Sequence, residues 1–308
     1  MNVYLPVAEI AVNPFVLLGL GGGIGFLSGV FGVGGGFLLT PILILLGVPP
    51  AVAVASGTNQ LVGASVSGTL AHLRRGTVDV RMGTVLLIGG LGGSGVGVLI
   101  FGFLKRIGQV ELVISISFVV LLGVMSALML TESLLALRKK KRRADAPRPK
   151  LHKHSWIHGL PLKMRFRKSR LYISLFVPLG VGFFIGVLVA VMGVGGGFIM
   201  VPAMVYLLGM PSAMVVGTSL FQIIFVTANA TILQATLNHT VDVVLAVLLL
   251  FGGVIGAQVG AKIGAKLPGE QMRVLLALMI FTVCVKLTLD LTTTPDDFYS
   301  ISTAFGPK

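Results

Sequence analysis

Phe31-Gly-Val-Gly-Gly-Gly-Phe37 occurs a second time in this chain as Met192-Gly-Val-Gly-Gly-Gly-Phe198, and the two copies decide how everything around them is read. Each copy opens a short apolar run, 36–46 and 197–208, with a proline at the same offset, Pro41 or Pro202. Each run closes near further prolines, Pro49 and Pro50 or Pro211. At an α-helical rise of ~1.5 Å per residue, such a run spans only about half a bilayer. The likeness continues beyond the runs. Gly57-Thr58-Asn59 matches Gly217-Thr218-Ser219, Thr77-Val78-Asp79 matches Thr240-Val241-Asp242, and the glycines of 89–93 resemble those of 252–256. The chain is an internal duplication, and duplications of this kind are a hallmark of transporter folds.

The composition agrees with a membrane setting. Of 308 residues, 55% are hydrophobic and 11% charged, with a mean hydropathy of +0.99. A soluble protein of this length needs far more charge to cover its surface. The 42 glycines lie inside apolar stretches, as in transmembrane helices, where small residues let backbones approach. Long apolar spans are read at 14–31, 51–73, 82–104, 110–137, 171–192, 213–237, 243–267 and 272–291, with the two short runs between them. A first transmembrane repeat at 1–137, a basic linker at 138–170 and a second repeat at 171–308 follow.

The net charge of +14 is concentrated in that linker. Its fourteen Lys and Arg stand against one acid, Asp145, so it carries +13 of the total. A basic loop between spans is first of all a cytoplasmic topology signal, and anionic lipid headgroups are its natural partner. Nucleic acid is not expected, because the rest of the chain is near neutral. With the linker inside, Arg74, Arg75, Arg81, Lys262, Lys266 and Arg273 also fall inside, while both termini fall outside. Lys105 and Arg106 alone go against the pattern. The expectation is therefore an all-α integral membrane protein of about ten transmembrane segments in two inverted repeats of five, each with a short broken helix after its Gly-rich turn. If the short runs were re-entrant hairpins, the repeats would be parallel and Arg74 and Arg75 would lie outside. An inner (plasma) membrane location is expected. The first thirteen residues contain no Lys or Arg, so no signal peptide is read there.

Non-helical backbone at membrane depth needs protein or a water-filled cavity around it, so the glycine turns are expected at the repeat interface. A half-helix that starts there points its free N–H groups and positive end at an anion, and glycine lets the anion come close. The expected substrate-binding residues are Gly34, Gly35, Gly36, Thr58, Asn59 and Gln60, with Gly195, Gly196, Gly197, Thr218, Ser219 and Gln222. The glycines would supply backbone N–H groups and the others neutral side-chain hydrogen bonds. Each polar residue can equally be helix–helix glue; the duplication of the cluster favours a ligand. The glycines of 89–97 and 252–264 read as helix packing.

Other chemistries lack their residues. A dinucleotide loop needs a βαβ unit that is missing here. The one cysteine, Cys284, sits in an apolar run and reads as packing. His152, His154 and His158 lie in the linker without a ligand set, so no metal or cofactor is expected, and no catalytic residue. Asp79 and Asp242 precede helices and read as N-caps. His72, Arg74 and Arg75 read as a snorkelling helix end, Lys286 and Asp290 as a possible i,i+4 pair, and Glu132 as a helix-end acid near the basic linker.

The duplicated Gly-Val-Gly-Gly-Gly-Phe with Pro41 and Pro202, each followed by Gly-Thr-Asn or Gly-Thr-Ser, resembles the sulfite exporter TauE/SafE family over about 15–291. The resemblance implies an inner-membrane permease for sulfite, sulfoacetate or other organosulfonates, often working outward, while some members of the family handle small carboxylates. A channel or a permease for a non-sulfur organic anion is the alternative. The oligomeric state is left open.

Overall fold

The computed structural model describes residues 3–31, 35–142, 162–166, 168–169, 171–264 and 269–292. Among them the chain forms β1 (Val3–Leu5), β2 (Ile10–Val12), α1 (Pro14–Phe31), α2 (Gly36–Leu45), α3 (Pro50–Arg74), α4 (Val80–Arg106) and α5 (Val110–Arg142). The second half gives β3 (Lys163–Phe166), β4 (Leu171–Ser174), α6 (Phe176–Met192), α7 (Gly197–Pro202), α8 (Ser212–Leu233), α9 (Val243–Gly264) and α10 (Gly269–Thr292). Short π-helical turns continue α7 over Ala203–Leu207 and α8 over Gln234–Asn238. Pro202 explains the first of these: it lacks an N–H and crowds the preceding turn, so the helix widens after it.

The helical class matches the reading from sequence, but the span read at 171–192 does not hold over its first residues, because 171–174 pair as strand β4 and the helix starts at Phe176. Four stretches, Val80–Arg106, Val110–Leu128, Ala213–Asn238 and Val243–Ile263, are long and apolar enough to cross a bilayer by length and composition. Large apolar side chains such as Phe15, Leu99, Phe103, Phe184, Ile232 and Ile255 face outward, as lipid requires. Two features differ from the expectation. α5 runs on to Arg142, five residues into the stretch assigned to the linker, and each half begins with an antiparallel hairpin, β1–β2 and β3–β4. Most of the linker, the end of the second repeat, the side chains of Glu132 and Asp290, and Gly34 lie outside the described residues.

Glycine stripes set the packing. Gly21, Gly25 and Gly29 of α1 lie against Leu249, Gly253 and Ala257 of α9, so these helices run parallel. Gly89, Gly93 and Gly97 of α4 lie in the same way against Leu179, Phe183 and Val187 of α6. A Cβ on Gly21 would stand 2.6 Å from the Leu249 carbonyl oxygen, which nothing short of helix separation relieves. The corresponding helices α3 and α8 run antiparallel: Thr58 faces Thr231, while Gly68 faces Leu220 ten residues further along α3. α5 and α10 are also antiparallel, since the Cys284 thiol is 3.5 Å from the Val119 carbonyl and Ser126 Oγ donates to the Ala277 carbonyl. Cys284 is buried there as a packing residue.

The hairpins cap opposite ends of the bundle. Asp79 N-caps α4 through Met82 N–H, and its other carboxylate oxygen accepts from Ser169 N–H at 3.0 Å and from the Ser169 hydroxyl. Asp242 accepts from Leu245 N–H at 3.1 Å and, with its other oxygen, from Val7 N–H at 2.9 Å. The N-capping read from sequence is present, and each aspartate also pins the hairpin that precedes the other half. β3–β4 therefore lies at the Arg74–Arg81 end, and β1–β2 lies with the 238–242 loop.

Candidate functional site

The two glycine turns meet inside the bundle. Gly36, first residue of α2, packs so closely on the second turn that an added Cβ would lie 2.9 Å from the Val194 carbonyl oxygen. Phe37 and Phe198, the residues that follow the two motifs, stack with ring centroids 4.6 Å apart. Gly35, Gly195 and Gly196 hold left-handed φ values of +58°, +73° and +71°, which a side chain would strain. Gly35 and Gly196 sit at the N-caps of α2 and α7, so the first-turn N–H groups of both short helices open beside them. The Gly197 N–H is taken by the Gly195 carbonyl at 2.9 Å.

Leu61 was not foreseen. Its buried side chain lies against both Gly36 and Gly195 and fills the space between the turns. Any ligand midway between the motifs needs this side chain to swing aside.

The polar residues divide into two groups. The Thr58 hydroxyl donates to the Ala55 carbonyl at 2.7 Å and accepts from Thr231 at 3.1 Å. The Thr218 hydroxyl donates to the Met214 carbonyl and accepts from Asp79 N–H, and Ser219 donates to the Val216 carbonyl. Their protons are spent within their own helices, and Thr58 and Thr218 also accept a bond from another element, Thr231 of α8 and the Asp79 N–H. The amides are different. Gln222 is buried, and both its Nε2 and Oε1 lack a partner among the described residues. Gln60 donates from Nε2 to the Gly21 carbonyl at 3.1 Å, but its buried Oε1 has no partner among them. Asn59, next to Gln60 on α3, is half-buried. Gln60 packs on Gly253 of α9, and Gln222 packs on Gly90 of α4. Thr40, Ser65 and Thr69 also bury unpartnered hydroxyls. Ser65 and Thr69 continue the Leu61 face of α3 at four-residue spacing, a periodicity readable in the sequence. A buried polar group left unpaired costs about 1–3 kcal/mol, so each of these groups stands out against the apolar helices around it.

Both oxygens of Asp79 and of Asp242 are occupied as above, and no group of three or more metal-ligating side chains is found among the described residues.

The two ends of α3 and α8 are built differently. After α8, Gln234 donates to the Ala190 carbonyl at 3.0 Å, and its Oε1 accepts from Asn238 at 2.6 Å and from Thr240 at 3.4 Å. Lys105, at the end of α4, donates to the Asn238 carbonyl at 2.7 Å. After α3, the matched Thr77 donates to the His72 carbonyl at 3.1 Å and lies 2.9 Å from His72 Nδ1. Beside it a cavity of about 220 Å³ opens between α1, α3, α8 and α9.

A bundle of apolar helices, duplicated and broken at its centre by two glycine turns, is the build of a multi-pass membrane transporter. The family model described as "Sulfite exporter TauE/SafE" matches residues 17–287, and the chain belongs to that family. A "Probable membrane transporter protein" of Xylella fastidiosa (strain 9a5c) is 30% identical over 249 residues, covering 78% of this chain and 80% of that one. "Probable membrane transporter protein YunE" of Bacillus subtilis (strain 168) is 30% identical over 226 residues, 69% of this chain and 74% of the other. YjnA of the same organism, a "Probable membrane transporter protein" too, is 28% identical over 240 residues, 78% and 85% respectively. No solved structure matches the chain. The family and these names make the protein a membrane transporter rather than an enzyme.

Proposed function

We propose that the protein exports small sulfur-containing oxyanions, such as sulfite or an organosulfonate, by alternating access around a midplane site. The observation that carries the reading is the meeting of the two glycine turns at the starts of α2 and α7, with a buried, unpaired amide, Gln222, on α8. Gly35, Gly36, Gly195 and Gly196 form the backbone of this site, Gln222 and Asn59 donate to the ligand from their amide nitrogens, and Gln60, whose Nε2 is taken by the Gly21 carbonyl, holds α3 to α1. Thr58, Thr218, Ser219 and Gly197 hold its frame. Two helix N-termini, with the free amide N–H groups of Gln222, suit an anion. With the interior negative, an outgoing monoanion gains about 2.3 kcal/mol per 100 mV.

The antiparallel runs of α3 with α8 and α5 with α10 support two inverted repeats of five segments, because a two-fold axis in the membrane plane reverses corresponding helices. In this arrangement the 138–170 linker, β3–β4, Arg74, Arg75 and Arg81 face the cytoplasm of an inner-membrane protein, and the termini face outward. Lys105, one of the two exceptions to the charge pattern, has a structural task on the outer side, holding the Asn238 carbonyl. Anionic lipid headgroups are the proposed partners of the linker.

The test is thermal stability of the purified protein in detergent with sulfite, sulfoacetate, taurine, thiosulfate, sulfate or chloride. A selective rise with a sulfur oxyanion, equivalent to about 2.7 kcal/mol at a hundred times Kd, is expected. A folded protein that responds to none of them contradicts the substrate class.

A further inference from the structure

We infer that the cavity between α1, α3, α8 and α9 is the cytoplasm-side path to the glycine turns, and that Arg75 draws small oxyanions into it; the path rests on the site proposed above, whereas the attraction for anions stands by itself. The cavity encloses about 220 Å³. A water takes ~30 Å³ of liquid, so the space admits a hydrated small ion and excludes a folded partner. His72 and Arg75 line one end. Arg75 is exposed, and β3–β4 is pinned near it through Asp79. Ser28 lines the cavity as well, and a Cβ on Gly35 of the first turn would come within 2.8 Å of the same Ser28. One wall residue of a cavity with Arg75 in its lining thus touches the backbone of the proposed site. Its walls are small or neutral residues such as Gly68 and Ser67, and no acid is among the described residues that line it. A positive charge at a mouth with low-dielectric walls raises the local concentration of anions and depletes cations.

The opposite end offers a contrast. There the Gln234 amide is buried and bonded to Asn238, Thr240 and the Ala190 carbonyl, which ties α8 to α6. A structure open at Arg75 and tied at Gln234 is what one stage of alternating access requires.

The experiment uses the full chain in proteoliposomes with Ser67→Cys placed in a Cys284→Ala background, since Cys284 is the one native cysteine. Labelling of position 67 is timed with an anionic and a cationic methanethiosulfonate of similar size. Both are expected to react. Arg75→Gln should lower the anionic-to-cationic rate ratio about fivefold, the effect of one nearby charge on reagents that differ by two charges. Sulfoacetate, which unlike sulfite cleaves neither thiosulfonates nor disulfides, should slow the labelling, and complete labelling should stop its flux. A position 67 that reacts with neither reagent, or a ratio indifferent to Arg75→Gln, overturns the inference. Full labelling that leaves flux intact, while sulfite still stabilises the protein, overturns the path and leaves the glycine-turn site standing. If the unlabelled protein neither binds nor carries any of the oxyanions, the site proposal fails and the path falls with it. The labelling ratio then decides the attraction for anions alone.

Discussion

The α3–α4 and α8–α9 corners descend from one duplicated segment, and they have diverged in a way that separates scaffold from mechanism. Both keep the Thr-Val-Asp sequence and its work. Thr77 and Thr240 tie back to the preceding helix, and Asp79 and Asp242 cap the next helix and hold a hairpin. What differs is the helix end before each. α8 ends in a π turn whose Gln234 and Asn238 bridge to α6 and α4, with Lys105 closing the network. α3 ends in His72, Arg74 and Arg75 beside a cavity. The shared part builds the fold, and the divergent part makes one end tied and the other open.

The largest effect that breaks this comparison is expected at the shared aspartates. Asp79→Ala removes an N-cap and two further bonds to Ser169, and should cost about 3–5 kcal/mol in thermal unfolding. Asp242→Ala loses one cap bond and one to Val7 N–H and should cost less, about 2–4 kcal/mol by the same sums. Equal and negligible losses would show that the hairpins are not held this way.

The network at the tied end comes next. Gln234→Leu strands Asn238 and Thr240 and should destabilise by about 1–3 kcal/mol. Combined with Ser67→Cys, it should also slow labelling of position 67 from the cytoplasmic side, as the population shifts toward opening at the other end. Unchanged labelling would make the network mere packing. The smallest effect is expected for Lys105→Ala. Its exposed bond to the Asn238 carbonyl is worth about 1 kcal/mol or less, so stability should hardly move while the labelling shift keeps the same direction.

The spans were legible because apolar length is a strong signal, and the boundaries of α1 and α2 match the reading to within a residue. The meeting of the turns was legible because the motif is duplicated. The hairpins were not, since three- and four-residue strands carry no periodicity that a window can detect. Nor was the division within the polar clusters. Whether a threonine proton goes to its own helix or to a ligand depends on side-chain rotation, and so Thr58 and Thr218 looked the same as Gln222 before their partners were known. Leu61 was hidden for a related reason: an apolar residue in an apolar span stands out only once its neighbours, Gly36 and Gly195, are placed. The four-residue glycine stripe at Gly21, Gly25 and Gly29 did contain the signal for a close α1 contact.

The account's central claim is that Gln222 is unpaired because it serves a ligand, and Gln222→Leu in proteoliposomes tests it most directly. Replacing an unpartnered buried amide with an apolar side chain of similar size should leave stability unchanged or raise it by about 1–3 kcal/mol. Sulfite counterflow, saturable in the native protein, should be lost in the same variant. A variant that is destabilised yet carries sulfite as the native protein does would contradict the account and return Gln222 to the helix packing.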